Sequence, residues 1–427
     1  MRDLVLQNAP STAFGSLMAI LAPYMDFCIK ETSSTACPWI SKKPQRPEDQ
    51  GQARSNGRDR ARTASISKSA ACVMGPPDPG SQANYTSVLD FELLGVTDVR
   101  GLQLLLFGVL LVTYLLTLLG NLLIITLTLA DHRLHIPMYY FLRHFSLLEV
   151  GFTSTVTPQM LVHLFSGSRT ISRDRCFAQT GLYFILGTVE SLLLAVMSGD
   201  RYLAICHPLH YSALMTPSAC VLLVLACWGT SVLVLGVLCA WMFSLHFCGP
   251  HVLNHFFCDS TPLLELICSD TRLLQLVNFL VAICTLLSAV LLTVLSYGCI
   301  LRTVLCMPAS GGRRKVFSTC SSHMLVVSLS YGSCIIMYLN PRQTGQLTLN
   351  KGVAFFNTTL SPLLNPFIYC FRNELVQKAS RDMLLRCRAF SSKIFTWAAE
   401  LGVEKLPGKP SLLEEFTSVQ DGTASQL

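Results

Sequence analysis

The chain has 427 residues, 51% of them apolar and only 13% charged, with a mean hydropathy of +0.48. A soluble protein of this size carries about a quarter charged residues, so the composition excludes an ordinary soluble fold and points to the bilayer. The formal net charge of +7 is scattered over short loops and tails instead of one amphipathic face, which argues against a nucleic-acid partner.

Residues 1–82 are rich in Ser, Pro, Gly, Gln and Arg after the first thirty and lack periodicity, the composition of a disordered extension. The apolar patch Phe14 to Met25 is too short to span, is broken by Pro23 and has no clear small-residue cleavage site, so a signal peptide is not favoured. Between Lys42 and Lys68 eight Lys or Arg face three acids, whereas Met74 to Leu102 carries four acids and one Arg. A start at Met74, with residues 1–73 an upstream-start artefact, is therefore the favoured reading. Residues 83–101 then form a short extracellular tail with the glycosylation sequon Asn84, Tyr85, Thr86.

From Leu102 apolar runs recur, each near the ~20 residues that cross a bilayer as a helix. They are Leu102–Leu129, Met138–Phe165, Cys176–Leu203, Ala219–Ser244, Leu273–Leu301, Val316–Leu339 and Gly352–Phe371. The expected fold is an all-α membrane protein, a seven-transmembrane helix bundle over residues 102–371. The amphipathic, basic stretch within 372–389 is expected as a short eighth helix on the cytoplasmic membrane face, and 390–427 as a cytoplasmic tail. Cys387 there is a palmitoylation candidate or a free thiol.

Arg133, Arg143, Arg201, Arg302, Arg313, Arg314, Lys315, Arg372, Lys378 and Arg381 all fall at span ends on one side, which the positive-inside rule makes cytoplasmic. Asp259, Glu265 and Asp270 lie on the other side. The expected protein is a plasma-membrane, multi-pass chain with its N-terminus extracellular and its C-terminus cytoplasmic.

Cys227, Cys239, Cys284, Cys299, Cys334 and Cys370 sit inside apolar runs and read as small buried hydrophobes. Cys176, Cys248, Cys258 and Cys268 lie on the extracellular side, where four thiols allow three pairings and the sequence alone does not choose. A metal site with His246, His251 or His255 is the rival, disfavoured by the oxidising compartment. Glu149 and Glu190 are acids in mid-span, with Asn121 and Asn365 in adjacent helices. They read either as an inward-facing ion or proton site or as a protonated structural network.

The segment MSGDRYLAICHPLHY at 197–211 places Asp200 and Arg201 at the edge of a span, a costly position that marks a switch or a pathway. It resembles the third-helix signature of vertebrate olfactory receptors, a family of rhodopsin-like G-protein-coupled receptors. LLGNLLIITL at 118–127, LHIPMYYFL at 134–142, KVFSTCSSHM at 315–324 and PLLNPFIYCFRN at 362–373 agree in order and spacing, so the resemblance covers about 91–375 and looks most like the terrestrial-type branch. One departure is Gly199, where the family usually has Tyr.

The resemblance implies an odorant receptor that binds small volatile molecules, activates a stimulatory G protein and raises cyclic AMP. It pairs Cys176 with Cys258 and Cys248 with Cys268. It gives the coupling switch to Asp200, Arg201, Tyr202, Tyr297, His323, Asn365, Pro366 and Tyr369. In that scheme Arg201 holds the resting state through Asp200, and the Pro-kinked seventh helix has two geometries.

By helical spacing Tyr183, Phe184, Gly187 and Thr188 share a face of the third helix. By family position they face Asn278, Val281, Ala282 and Thr285 on the fifth, Tyr331, Cys334 and Tyr338 on the sixth, and Phe355 and Thr358 on the seventh. This set suits a weakly polar ligand. The alternative, a transporter or channel, predicts repeated halves that the sequence lacks. No nucleophile and base or metal constellation is spaced for an enzyme, and no cofactor is expected.

Overall fold

The computed structural model describes residues 90–248, 251–306, 311–339 and 346–400. Asn84, the alternative start at Met74 and the tail beyond residue 400 lie outside the described residues. The helices are α1 Arg100–Ala130, α2 Pro137–Ser166, α3 Arg173–Cys206, α4 Pro208–Leu214, α5 Pro217–Phe243, α6 Ser260–Glu265, α7 Arg272–Cys306, α8 Gly311–Leu339, α9 Gln346–Phe355, α10 Ser361–Arg372 and α11 Glu374–Glu400. Spans one to six are α1, α2, α3, α5, α7 and α8; the seventh is α9 and α10 joined by a π-helical turn, Phe356–Leu360.

Among the described residues, α1, α3, α5, α7 and the Cys320–Met337 stretch of α8 are long and apolar enough to cross a membrane by themselves. The second and seventh spans carry more polar side chains and owe their place to packing in the bundle. Leu105, Val109, Leu119, Leu225, Leu287 and Val294 point outward, a belt that only lipid can solvate. Cys284 belongs to this outward surface, which corrects its reading as a buried hydrophobe.

The third span is the axis of the bundle. Every residue from Ser191 to Ser198 is buried, so it is surrounded on all sides where the other spans show lipid one face. Its neighbours lock to it by short polar contacts, which are favourable between helices because lipid offers no hydrogen bonds. Ser198 Oγ lies 3.2 Å from Thr293 Oγ1 on the fifth span, and Tyr331 of the sixth donates to the Ser191 carbonyl at 2.9 Å.

A three-stranded sheet in the order β2, β1, β3 caps one end of the bundle, and nothing in the residue pattern announces it. Strand β1, Asp90–Leu93, runs antiparallel to β2, Thr170–Ser172, and parallel to β3, Val252–Leu253. Phe91 and Leu93 face inward onto Cys176 and Cys258, which are disulfide-bonded. Cys248 and Cys268 form the second disulfide, with Cα atoms 5.8 Å apart.

On the cytoplasmic side Asn373 breaks the seventh span. Its backbone is extended and its side-chain oxygen accepts from the amides of Leu375 and Val376, starting α11. The same oxygen accepts from the Tyr139 hydroxyl at 2.9 Å. Arg133 clamps α11 to the first loop by bonding both Asp131 and Asp382, the latter at 2.7 Å. The eighth helix runs to Glu400, eleven residues past the expected end at 389, and the stretch from Phe390 holds no Gly or Pro to stop it.

Gly120 marks the closest approach of the first and seventh spans. A Cβ there would lie 3.0 Å from Pro366 Cγ and 3.1 Å from its Cβ, and the proline ring has no room to yield. In the same helix Gly108 faces open space. Gly120→Ala should destabilise the protein by about 1–3 kcal/mol of overpacking, against the ~1 kcal/mol that Ala gains over Gly in a helix. Gly108→Ala should be neutral or stabilising, and melting of the two detergent-solubilised variants tells them apart.

Candidate functional site

A cavity of about 280 Å³ opens in the half of the bundle nearest the sheet. Tyr183, Phe184, Gly187 and Thr188 form one wall, Asn278, Val281, Ala282 and Thr285 another, and Cys334 belongs to a third. Gly187 matters for its lack of a side chain: a Cβ there would already touch the Phe152 ring at 3.5 Å.

Three residues read onto this pocket lie off its walls. Tyr331 is turned away by its hydrogen bond to the Ser191 carbonyl. Thr358 is fully buried and donates back to the Ala354 carbonyl at 2.9 Å, and Phe355 packs edge-on against Phe256 of the extracellular loop. The side chain of Tyr338 lies outside the described residues.

Their places are taken by groups that sequence spacing does not single out. The fourth span supplies Leu235, Leu238, Cys239 and Met242, and the loop helix α6 supplies Ser260, Thr261 and Leu264 as a lid. Asn357 enters from the π-turn, whose wider pitch frees the Thr358 carbonyl to accept from Thr153 at 3.3 Å.

Glu190 reaches the cavity floor, where its carboxylate accepts from Ser330 of the sixth span at 3.1 Å. Glu149 instead accepts a hydrogen bond from the Asn365 amide of the seventh span. The two carboxylates therefore take separate partners in adjacent layers. Asn121 stands apart from both: its amide donates to the carbonyls of Thr117 at 3.0 Å and Pro362 at 3.4 Å, so it ties the first span to the seventh and takes no direct part in the glutamate site.

At the end of the bundle opposite the sheet Asp200 is 1% exposed and holds two partners, the neighbouring Arg201 guanidinium and the Tyr211 hydroxyl of α4 at 2.8 Å. Tyr211 closes the same sequence signature, yet no spacing rule pairs it with Asp200. Tyr202 is buried with its hydroxyl 3.0 Å from His207 Nε2, a contact that fixes the entry to α4. Tyr297 reaches His323 Nδ1 at 2.8 Å, linking fifth and sixth spans. Asp200, Arg201, His323 and Tyr369 together line a second cavity of about 40 Å³, while Pro366 lies against Gly120.

A binding cavity above and a charged pair below, on one central helix, make a receptor-like arrangement, and the comparisons identify its lineage. The sequence profile described as "Olfactory receptor" matches residues 110–387. The chain belongs to the olfactory receptor family. It is 50% identical over 310 residues to olfactory receptor 6E1 of Mus musculus, covering 72% of this chain and 99% of the relative. Human olfactory receptor 6C75 is 49% identical over 301 residues, covering 70% and 96%, and human olfactory receptor 6C1 is 46% identical over 309 residues, covering 72% and 99%. Olfactory receptors are multi-pass G-protein-coupled receptors and not enzymes, and this chain is an odorant receptor of that kind.

The olfactory receptor's extracellular loop brings one titratable group under the cap. His255 is 4% exposed, stacked on Phe256 and edge-on to Phe257, and burial together with the nearby Lys351 charge lowers its pKa to about 3. A histidine depressed in the folded state stabilises the loop fully above its unfolded pKa of about 6.5, and that contribution is lost as pH falls toward 3. Lowering the extracellular pH from 7.4 to 5.5 should therefore weaken agonist potency, and His255→Phe should flatten the dependence. A cell-surface dose series at the two pH values measures both.

Proposed function

We propose that this olfactory receptor binds a small volatile molecule in the 280 Å³ cavity and activates a stimulatory G protein, raising cyclic AMP. The observation that carries the reading is the third span itself, which supplies cavity wall at Gly187 and charged pair at Asp200 and Arg201. Fourteen residues of helix separate Gly187 from Arg201, about 21 Å at 1.5 Å per residue. A small rotation or shift of one rigid element would thus be felt at both ends.

In the proposed resting state Asp200 holds Arg201 with help from Tyr211, and the glutamates with Asn365 and Ser330 form the layers between. The π-turn and Pro366 give the seventh span its second geometry. The Tyr369 hydroxyl makes no hydrogen bond in this arrangement although it is buried, so it is available to another one. Agonist must bind that other arrangement better, because only differential affinity moves the population. The N-terminus faces outward and the C-terminus the cytoplasm in this scheme, with Asn84 glycosylated and α11 lying on anionic lipid.

Cyclic AMP in cells exposed to an odorant library tests the scheme. A ligand-dependent rise that Arg201→Ala abolishes is expected, and a ligand-driven current without G protein would overturn it. Gly199 adds a second check, since a side chain there meets nothing within 4 Å and Gly costs about 1 kcal/mol in a helix. Gly199→Tyr should raise surface expression or agonist response, and identical behaviour would show the departure from the family to be neutral.

A further inference from the structure

The cavity walls have a chemical bias that the receptor reading leaves unexplained. Cys239 and Met242 stand three residues apart on the fourth span, and Cys334 and Met337 repeat that spacing on the sixth. Residues three apart on a helix share a face, so each helix presents a thiol and a thioether to the same space. Phe152, Tyr183, Phe184 and Phe279 supply aromatic faces between them. Sulfur is polarizable and makes favourable contacts with aromatic rings that an aliphatic side chain of the same shape does not.

Much of the polar capacity in the cavity is committed, although Ser260, Ser361 and the Asn357 carbonyl keep capacity of their own beside the residues named below. Thr180 donates to the Cys176 or Cys258 carbonyl, Ser191 to Gly187, and Thr285 to Val281 at 2.6 Å. Ser330 is held by Glu190, and Gln275 by Thr271. Among the described residues that line the cavity, Asn278 and Thr188 are side chains whose amide and hydroxyl take no hydrogen bond. Asn278 offers both a donor and an acceptor from the fifth span, where a ligand oxygen of either kind finds its complement.

From these two observations we infer that the receptor selects compact aromatic ligands bearing one neutral oxygen, with Asn278 reading the oxygen and the sulfur pairs Cys239 with Met242 and Cys334 with Met337 reading the ring. The inference rests on the proposed binding of odorants in this cavity and names their class. Aliphatic ligands of equal size lose the sulfur and ring contacts, and hydrocarbons lose the amide. Glu190 accepts only the Ser330 hydroxyl and keeps a second oxygen, which makes an amine the rival ligand that the test includes.

The test uses matched pairs on cells expressing the full chain, with surface labelling and cyclic AMP as readouts: benzaldehyde against cyclohexanecarbaldehyde, phenol against cyclohexanol, toluene as the ring without oxygen, and benzylamine as the cation. The aromatic oxygenated member of each pair should be the more potent by a few-fold or more. Asn278→Leu should lower its potency roughly three- to tenfold and leave toluene unchanged. Met242→Leu combined with Met337→Leu keeps the volume and should shrink the aromatic preference.

Equal or greater potency of the saturated members, or of benzylamine, overturns the inference and leaves the odorant-receptor reading intact. Silence toward the whole panel from chains seen at the surface also overturns it. The wider reading then fails only if aliphatic odorants are silent too.

Discussion

Asn365 donating to Glu149 at the centre of the membrane is the contact on which the rest of the architecture depends. A carboxyl group at that depth is costly without a partner, and an amide from another helix is the least disruptive partner available. Satisfying it fixes the second span against the seventh. Asn121 then holds the first span to the seventh through the Pro362 carbonyl, and Gly120 allows Pro366 to sit flush. The kinked helix is thereby anchored on the face where the first and second spans meet it, and its other contacts are left adjustable.

That asymmetry gives the proposed switch its physical basis. Hydrogen bonds of the third span with the fifth and sixth pass through single hydroxyls, such as Ser198 with Thr293 and Ser330 with Glu190, each worth about 1 kcal/mol. Such contacts are firm enough to define a resting arrangement and weak enough for a ligand's differential affinity to exchange them. The apolar lining and soft sulfur groups above, and the uncommitted hydroxyl of Tyr369 below, lie at the two ends of this adjustable half.

Much of the fold was legible because the bilayer writes a strong pattern: long apolar runs, basic residues at one set of ends, and a proline-broken seventh span. The third-span wall was legible through the helical repeat, and the fifth-span wall through the family resemblance. The fourth span was not, since PSACVLLVLACWGTSVLVLGVLCAWMF is apolar on every side and no periodicity tells its inward face from its lipid face. Tyr331 and Thr358 show a further limit: both are interior, yet each spends its hydroxyl on a backbone carbonyl, a choice set by neighbouring helices. The small sheet joins segments about 80 and 160 residues apart, and strands of two to four residues leave no alternation to read.

The central claim, that ligand in the upper cavity releases the lower end of the third span, is tested most directly by distance. Spin labels at His210, just past the third span, and at Arg313, at the start of the sixth, would report the gap between the two cytoplasmic ends in the purified receptor with and without agonist and G protein. The account predicts a wider gap with both bound, reproduced in part without ligand by Asp200→Asn. An unchanged distance in a preparation that activates its G protein would contradict it.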